Sequence, residues 1–149
     1  MGQAREVMDR FTASMDTQDR DALARTYADE AVLFTPDEGQ ITGRDKITSY
    51  LDHFWEAFPD IKYEYTAKYD AGDVAIDEGY VVATNTGPIR LPSGETLPPT
   101  GKKVRVRSCD IAQVEAGQIK SHHFYFDQLD YMAQLGLLPE SLTRQLSSH

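Results

Sequence analysis

An α+β fold is what the order of periodicities in this 149-residue chain predicts: a curved mixed or antiparallel sheet wrapped around N-terminal helices, with a short C-terminal helix. Three observations carry that prediction. Apolar residues recur at helical spacing up to residue 58, at strand spacing from 61 to 126, and at helical spacing again after Asp127. No repeat, low-complexity block or charge run divides the chain, so one domain over 1–149 is expected, with its core at about 3–139 and a tail at 140–149.

In chain order, residues 4–16 predict a helix whose Val7, Met8, Phe11 and Met15 form one apolar stripe. Asp19 is placed to cap a shorter helix carrying Leu23 and Tyr27. The run Ala31-Val32-Leu33-Phe34 is strand-like and stops at the turn cluster Thr35-Pro36-Asp37-Glu38-Gly39. Residues 44–58 give the clearest helix, with Ile47, Tyr50, Leu51, Phe54, Trp55 and Phe58 on one side and Pro59 past its end. Strands follow near 61–69, 74–86, 102–114 and 118–126, the first pair joined by 70–73 and the second by 115–117. The segment 87–101 is too rich in proline and glycine for a central strand and predicts a long loop or a short hairpin. A final helix carries Leu129, Met132 and Ala133 ahead of Gly136 and Pro139, and the tail from Ser141 is expected to fray.

Composition excludes several functions. Lys and Arg number 15 against 24 Asp and Glu, a net charge of −9. That balance argues against nucleic acid, whose binding needs clustered cations on phosphates, and against an anionic membrane surface. The single cysteine, Cys109, cannot form an internal disulfide. The N-terminus has no apolar leader core, and Glu6 stands where a myristoylation pattern needs Ser or Thr. A cytoplasmic protein acting on something small, or on another protein, is the expectation.

The chemistry concentrates in two strands. Along 103–114, Val104, Val106, Ser108, Asp110, Ala112 and Val114 share the apolar face, which puts a carboxylate on a buried wall. A buried Asp110 must be paired or protonated, either as an oxyanion stabiliser or bonded to a backbone amide or tyrosine hydroxyl. The second strand ends in Ser121-His122-His123-Phe124-Tyr125-Phe126-Asp127. An imidazole here within reach of Asp127 makes a proton shuttle, while Asp127 also suits the N-cap of the last helix. Adjacent His122 and His123 point to opposite faces, so only one of them enters a pocket, and the pattern leaves open which. The same geometry argues against a metal: two neighbouring strand histidines cannot chelate one ion, and there is no CxxC. His53 is expected to face solvent, and Cys109 to face away from Asp110 as an inert thiol. Trp55, Phe54, Tyr63, Tyr65, Tyr80 and Tyr125 read as core aromatics or as the lining of an apolar cavity. Serine-hydrolase, P-loop and dinucleotide fingerprints are absent from the sequence.

Several stretches, in this order, resemble one family. They are Asp19-Arg20-Asp21-Ala22-Leu23, Tyr27-Ala28-Asp29-Glu30-Ala31, Thr42-Gly43-Arg44, Phe58-Pro59-Asp60, Asn85-Thr86-Gly87-Pro88, Pro99-Thr100-Gly101-Lys102 and Gly117-Gln118-Ile119. The block His122 to Leu129, followed by Gln134-Leu135-Gly136-Leu137-Leu138-Pro139, is the most diagnostic. Over about residues 3–139 the chain is similar to the SnoaL-like polyketide cyclases of the nuclear-transport-factor-like superfamily. The resemblance implies a cone of curved sheet and helices around a hydrophobic pocket, a homodimer formed through the sheet, and aldol ring closure without cofactor or metal. It implies Asp127 as acid/base, His122 as its tuning partner and Asp110 as a protonated donor to the developing enolate. His123, Tyr125, Trp55, Phe11, Phe34 and Tyr80 are the expected substrate-binding residues. Ketosteroid isomerases share the superfamily, but their catalytic tyrosine falls on Phe11 and their aspartate base on Thr35, leaving only Asp110 as a counterpart. The Arg-x-Asp pairing of limonene epoxide hydrolase is not matched by Arg107-Ser108-Cys109-Asp110, and His123 stands where the cyclases often have Trp. The expected function is acid/base chemistry on a hydrophobic carbonyl compound. The alternatives are a non-catalytic binding or dimerisation module, or an isomerase, dehydratase or hydrolase using the same pocket.

Overall fold

The computed structural model describes residues 3–147. Helices α1 (Gln3–Thr17) and α2 (Arg20–Thr26) lead into strand β1 (Tyr27–Thr35), which turns back as β2 (Gly39–Thr42). Helix α3 (Arg44–Ala57) follows, then β3 (Lys62–Ala71), β4 (Val74–Thr84) and a small hairpin of β5 (Ile89–Arg90) and β6 (Thr96–Leu97). The long strands β7 (Lys103–Glu115) and β8 (Gln118–Phe126) complete the sheet before α4 (Gln128–Gln134) and α5 (Glu140–Ser147). This is the α+β architecture expected, with helices packed against a mixed sheet.

Six strands make that sheet, in the order β2-β1-β8-β7-β4-β3. All neighbours run antiparallel except β1 and β8, which are parallel, with Phe34 beside His123. The alternation read along 103–114 appears in full. Val104, Val106, Ser108, Asp110, Ala112 and Val114 are buried, and the residues between them face outward. Onto that inner face α1 lays Val7, Met8, Phe11 and Met15, all at most 1% exposed. Trp55 Nε1 of α3 donates to Met15 O at 3.2 Å and fixes α3 against α1.

Three features depart from the sequence reading, whereas the 87–101 segment forms the short hairpin that was one of its two expected alternatives. Tyr27 opens β1 and is no part of α2. Its carbonyl accepts both Nε and Nη2 of Arg44 at 2.9 and 2.7 Å, so it is held from another element instead of continuing the helix. Strand β2 was not foreseen, because four residues with a single half-buried apolar side chain, Ile41, carry no alternation to read. The 87–101 segment is tied by Asn85, fully buried, whose Nδ2 donates to Ala57 O and Gly87 O and whose Oδ1 accepts from Thr100 N and Oγ1. The tail does not fray at Ser141. It forms α5, with an Arg144–Glu140 pair one turn apart.

At Gly79 on β4 the neighbouring backbone leaves no room for a side chain. A Cβ there would run into the Glu64 carbonyl oxygen and stand 2.6 Å from Tyr65 Cα, where β3 bulges between Tyr65 and Ala67. Replacing Gly79 with Ala is expected to lower the unfolding free energy by about 2–3 kcal/mol, since backbone, unlike a side-chain tip, cannot give way. Denaturant unfolding of Gly79→Ala beside wild type measures this, and a loss below ~0.5 kcal/mol would contradict the close approach.

Candidate functional site

Between the inner face of the sheet, α3 and α4 lies a small apolar chamber of about 30 Å³. Phe54 comes from the last turn of α3, Phe58 and Ile61 from the link to β3, Tyr63 from the start of β3, and Val81, Ala83, Val104, Val106, Phe124 and Phe126 from three strands. Tyr131 of α4 completes its lining. An outer chamber of about 130 Å³ shares Phe54, Phe58, Phe126 and Tyr131 with it, so the same four side chains wall both. The outer one is more polar: Asp37, Glu38, Tyr50, His53, Arg90 and Gln128 reach it.

Asp37 is held at this rim. Its Oδ1 accepts the Tyr50 hydroxyl at 2.8 Å, and the turn that presents it is fixed by Glu38 N donating to Thr35 Oγ1 at 3.1 Å. Burial, with the Asp37 carboxylate nearby, pushes the phenols of Tyr50 and Tyr131 well above their ordinary value, so both stay protonated donors. An apolar hollow with carboxylates and protonated phenols at its edge can take a proton from carbon and stabilise the oxyanion that results.

At the closed end runs a second polar assembly, wholly internal. Tyr27 O–H meets His122 Nδ1 at 2.7 Å, and His122 Nε2 meets Asp110 Oδ1 at 2.7 Å. Tyr65 O–H donates to Asp110 Oδ2 at 3.1 Å. Burial and Asp110 hold the Tyr27 phenol protonated, so its O–H is available to Nδ1 while Nε2 faces Asp110. The Phe11 ring packs edge-on against His122 at 5.0 Å. Directly across the β4–β7 ladder from Asp110 sits Asp77, also fully buried, with Arg5 Nη1 of α1 on its Oδ1 at 2.6 Å and no partner for Oδ2 among the described residues.

The sequence pattern brought together residues that the fold separates. The pairing expected between His122 and Asp127 is not formed, since both ring nitrogens of His122 are engaged by Tyr27 and Asp110. Asp127 caps α4, its Oδ1 accepting Asp130 N at 3.0 Å, and its Oδ2 lies 3.4 Å from Arg107 Nη2. It lines neither chamber. His123 and Tyr125 face outward from β8, their side chains joined by a 3.0 Å hydrogen bond, and Phe34 stacks on His123 with ring centroids 4.5 Å apart. Tyr80, also on the outer face, carries the Arg105 guanidinium 3.5 Å over its ring. Phe11 and Trp55 are packing residues, and none of these six lines a chamber.

His53, expected to face solvent, lines the outer chamber. Asp37 went unremarked because it lies inside a turn cluster, where its residue type reads as punctuation. The one available signal was Tyr50 and His53, three apart on the helix that faces that turn. Cys109 lies on the outer face as expected, and burial, with Asp110 and Glu78 close by, pushes its thiol up and away from reactivity. Among the described residues no cluster of three His, Cys, Asp or Glu could hold a metal, and no helix is long and apolar enough to cross a membrane.

A family profile for the SnoaL-like domain matches residues 8–122. The fold is similar to that of a protein from Jannaschia sp. CCS1 assigned to the SnoaL-like polyketide cyclases, with TM-score 0.80 and 20% identity over 92% of this chain and 94% of that one. It is similar to IdmH from Streptomyces antibioticus, assigned as a polyketide cyclase, with TM-score 0.75 and 20% identity over 91% and 99%. It is similar as well to an LEH-like epoxide hydrolase of M. tuberculosis, with TM-score 0.68 and 16% identity over 89% of each chain. Likeness at these identities shows the fold. No curated protein matches the sequence.

The buried Asp77 makes stability depend on pH in a definite direction. Burial raises its pKa above the ordinary value against the pull of Arg5, so the folded protein binds this proton more tightly than the unfolded chain does. Its contribution is therefore fully present below the unfolded carboxyl's value, about 3.9, and is lost as pH rises through the folded one. Chemical denaturation of wild type and Asp77→Asn should show wild type gaining on the variant as the pH is lowered from about 7 to about 4. A difference that stays flat or runs the other way would contradict the raised value.

Proposed function

The chain belongs to the SnoaL-like domain family, and from that membership we propose that it is a cofactor-independent acid/base enzyme, of the polyketide cyclase kind, acting on a hydrophobic carbonyl compound. The observation that carries this reading is the apolar chamber with Asp37 at the rim of the space beside it, its carboxylate bonded to Tyr50 and close to the protonated Tyr131. Asp37 takes a proton from the carbon next to the substrate's carbonyl, and the Tyr131 hydroxyl hydrogen-bonds the enolate oxygen. The enolate carbon attacks a second carbonyl of the same folded molecule and forms the ring bond. The resulting alkoxide recovers the proton from the Asp37 carboxyl. Enclosure by Phe54, Phe58, Phe126 and Tyr131 supplies the proximity that makes an intramolecular attack efficient.

This assigns the base to Asp37 in place of Asp127, which is occupied as a helix cap away from both chambers. It assigns His122 and Asp110 to shaping the closed end, because neither lines a chamber. A non-catalytic binding module is the competing reading. One experiment separates the two: exchange of the α-protons of 2-tetralone into D2O, followed by NMR. Wild type should accelerate exchange, and Asp37→Asn should lose about 100-fold or more of that acceleration. Exchange unchanged in Asp37→Asn would remove Asp37 from the mechanism, and binding of the ketone without any exchange would establish the binding module.

The same reading includes a homodimer through the outer face of the sheet. Phe34, His123, Tyr125 and Ile111 gather there, and Tyr125 is 49% exposed in the single chain. Sedimentation should find a dimer for wild type and a monomer for Ile111→Arg. A wild type that sediments as a monomer would refute it.

A further inference from the structure

Away from both chambers, a cleft of about 480 Å³ lies between α1 and α2, and it shares no lining residue with either of them. Arg10 reaches it from α1 and Arg25 from α2. The chain has nine arginines, and seven of them are ion-paired with an aspartate or a glutamate. Arg10 and Arg25 are the two without a carboxylate partner among the described residues, and both stand in this one cleft. Scarcity of carboxylates is not the cause, since the chain carries 24 against 15 cations. Arg10 Nη2 has only the Gly117 carbonyl at 3.5 Å, so most of its donors are unused. Two open guanidinium forks on one cleft match the oxygens of a phosphate or a carboxylate. The other polar groups of the cleft are acceptors. Ser14 Oγ and Thr26 Oγ1, both on buried residues, donate to Arg10 O at 2.8 Å and Leu23 O at 2.6 Å, which leaves their lone pairs to receive a proton. Asp19 accepts Ala22 N at 3.0 Å with one oxygen, and its second has no partner among the described residues.

We propose that the α1–α2 cleft is a second binding site, for a small hydroxylated oxyanion. Arg10 and Arg25 hold the phosphate or carboxylate group. Asp19, with the Ser14 and Thr26 hydroxyls, accepts hydrogen bonds from the ligand's own O–H groups. Ala13 and Ala22 keep the space between them open. The net charge of −9 repels anions from the molecule as a whole, so recognition depends on contact with these two guanidiniums. The site is independent of the acid/base reading of the chambers and stands or falls without it.

The test titrates ribose 5-phosphate, gluconate and ribose into the full chain, followed by amide chemical shifts in NMR. Ribose 5-phosphate or gluconate should bind, and whichever is tighter identifies the oxyanion as phosphate or carboxylate. Shifts should centre on residues 10–26, and ribose should bind at least tenfold more weakly. Arg10→Gln and Arg25→Gln should each weaken the bound anion about tenfold, since each removes charge-assisted hydrogen bonds. Arg20→Gln removes the same charge from the same helix, but Arg20 is already paired with Asp52, and this variant should bind as wild type does. All three arginines are exposed, so the amide spectra of the variants should otherwise overlay on that of wild type. Equal weakening in Arg20→Gln would reduce the effect to net charge and overturn the site. Binding of neither anion, ribose binding as tightly as the anions, or shifts centred elsewhere would overturn it too.

Discussion

Two aspartates stand directly opposite each other on the buried face of the sheet, and most of the closed end is arranged around them. Like charges in that position repel, and neither can be taken from water without partners. Asp77 draws Arg5 from α1, whose guanidinium also reaches Asp70 and the Tyr69 carbonyl. Asp110 draws His122 from β8 and Tyr65 from β3, and His122 in turn draws Tyr27 from the first residue of β1. Elements distant in sequence are thereby fixed to the β4–β7 ladder by one side chain each. A one-residue slip of either central strand would turn a carboxylate out to the solvent face and strand its partner inside.

How much of this the sequence disclosed follows the range of each interaction. The inner face of β7 was readable residue by residue, because alternation is a local signal and thirteen residues repeat it. The burial of Asp110, and hence its need for a partner, followed from the same pattern. The partner's identity did not. Asp110 and His122 are twelve residues apart but Tyr27 and His122 are 95 apart, and no local pattern reports a contact that depends on β1 lying parallel to β8. The expected pairing of Asp127 with His122 is absent for a related reason. A carboxylate at a strand end that also begins a helix has an immediate use in the helix's free amides, and that local bond prevailed. The place of Asp37 beside the outer chamber was not legible because a turn accounts for an aspartate without any further role. Aromatics could be assigned to strands but not to faces of a pocket, so Tyr125, Phe34 and Tyr80 fell outside while Phe124 and Phe126 fell inside.

The two ends of the molecule divide their tasks. Around the paired aspartates, every buried side-chain polar atom among the described residues is hydrogen-bonded except Asp77 Oδ2 and Ser108 Oγ. Toward the mouth the lining is aromatic and aliphatic, and the ionisable groups stand on a turn and on the rim of α3. Site-bearing loops carried on a fixed scaffold are a common way to vary specificity without disturbing a fold. Relatives at 20% identity or less superpose over about nine-tenths of this chain, as that division would permit.

The parallel pairing of β1 with β8 also bears on how the molecule is made. Residues 27–35 must wait for residues 118–126 before their second edge is covered, so a chain emerging from the ribosome carries β1 and β2 as a bare two-stranded ribbon until nearly all of it is synthesised. Closing that gap late, across most of the chain's length, favours slow folding. The segment most exposed to mispairing in the interval holds Val32, Leu33 and Phe34, with the acidic Asp29 and Glu30 just ahead of it.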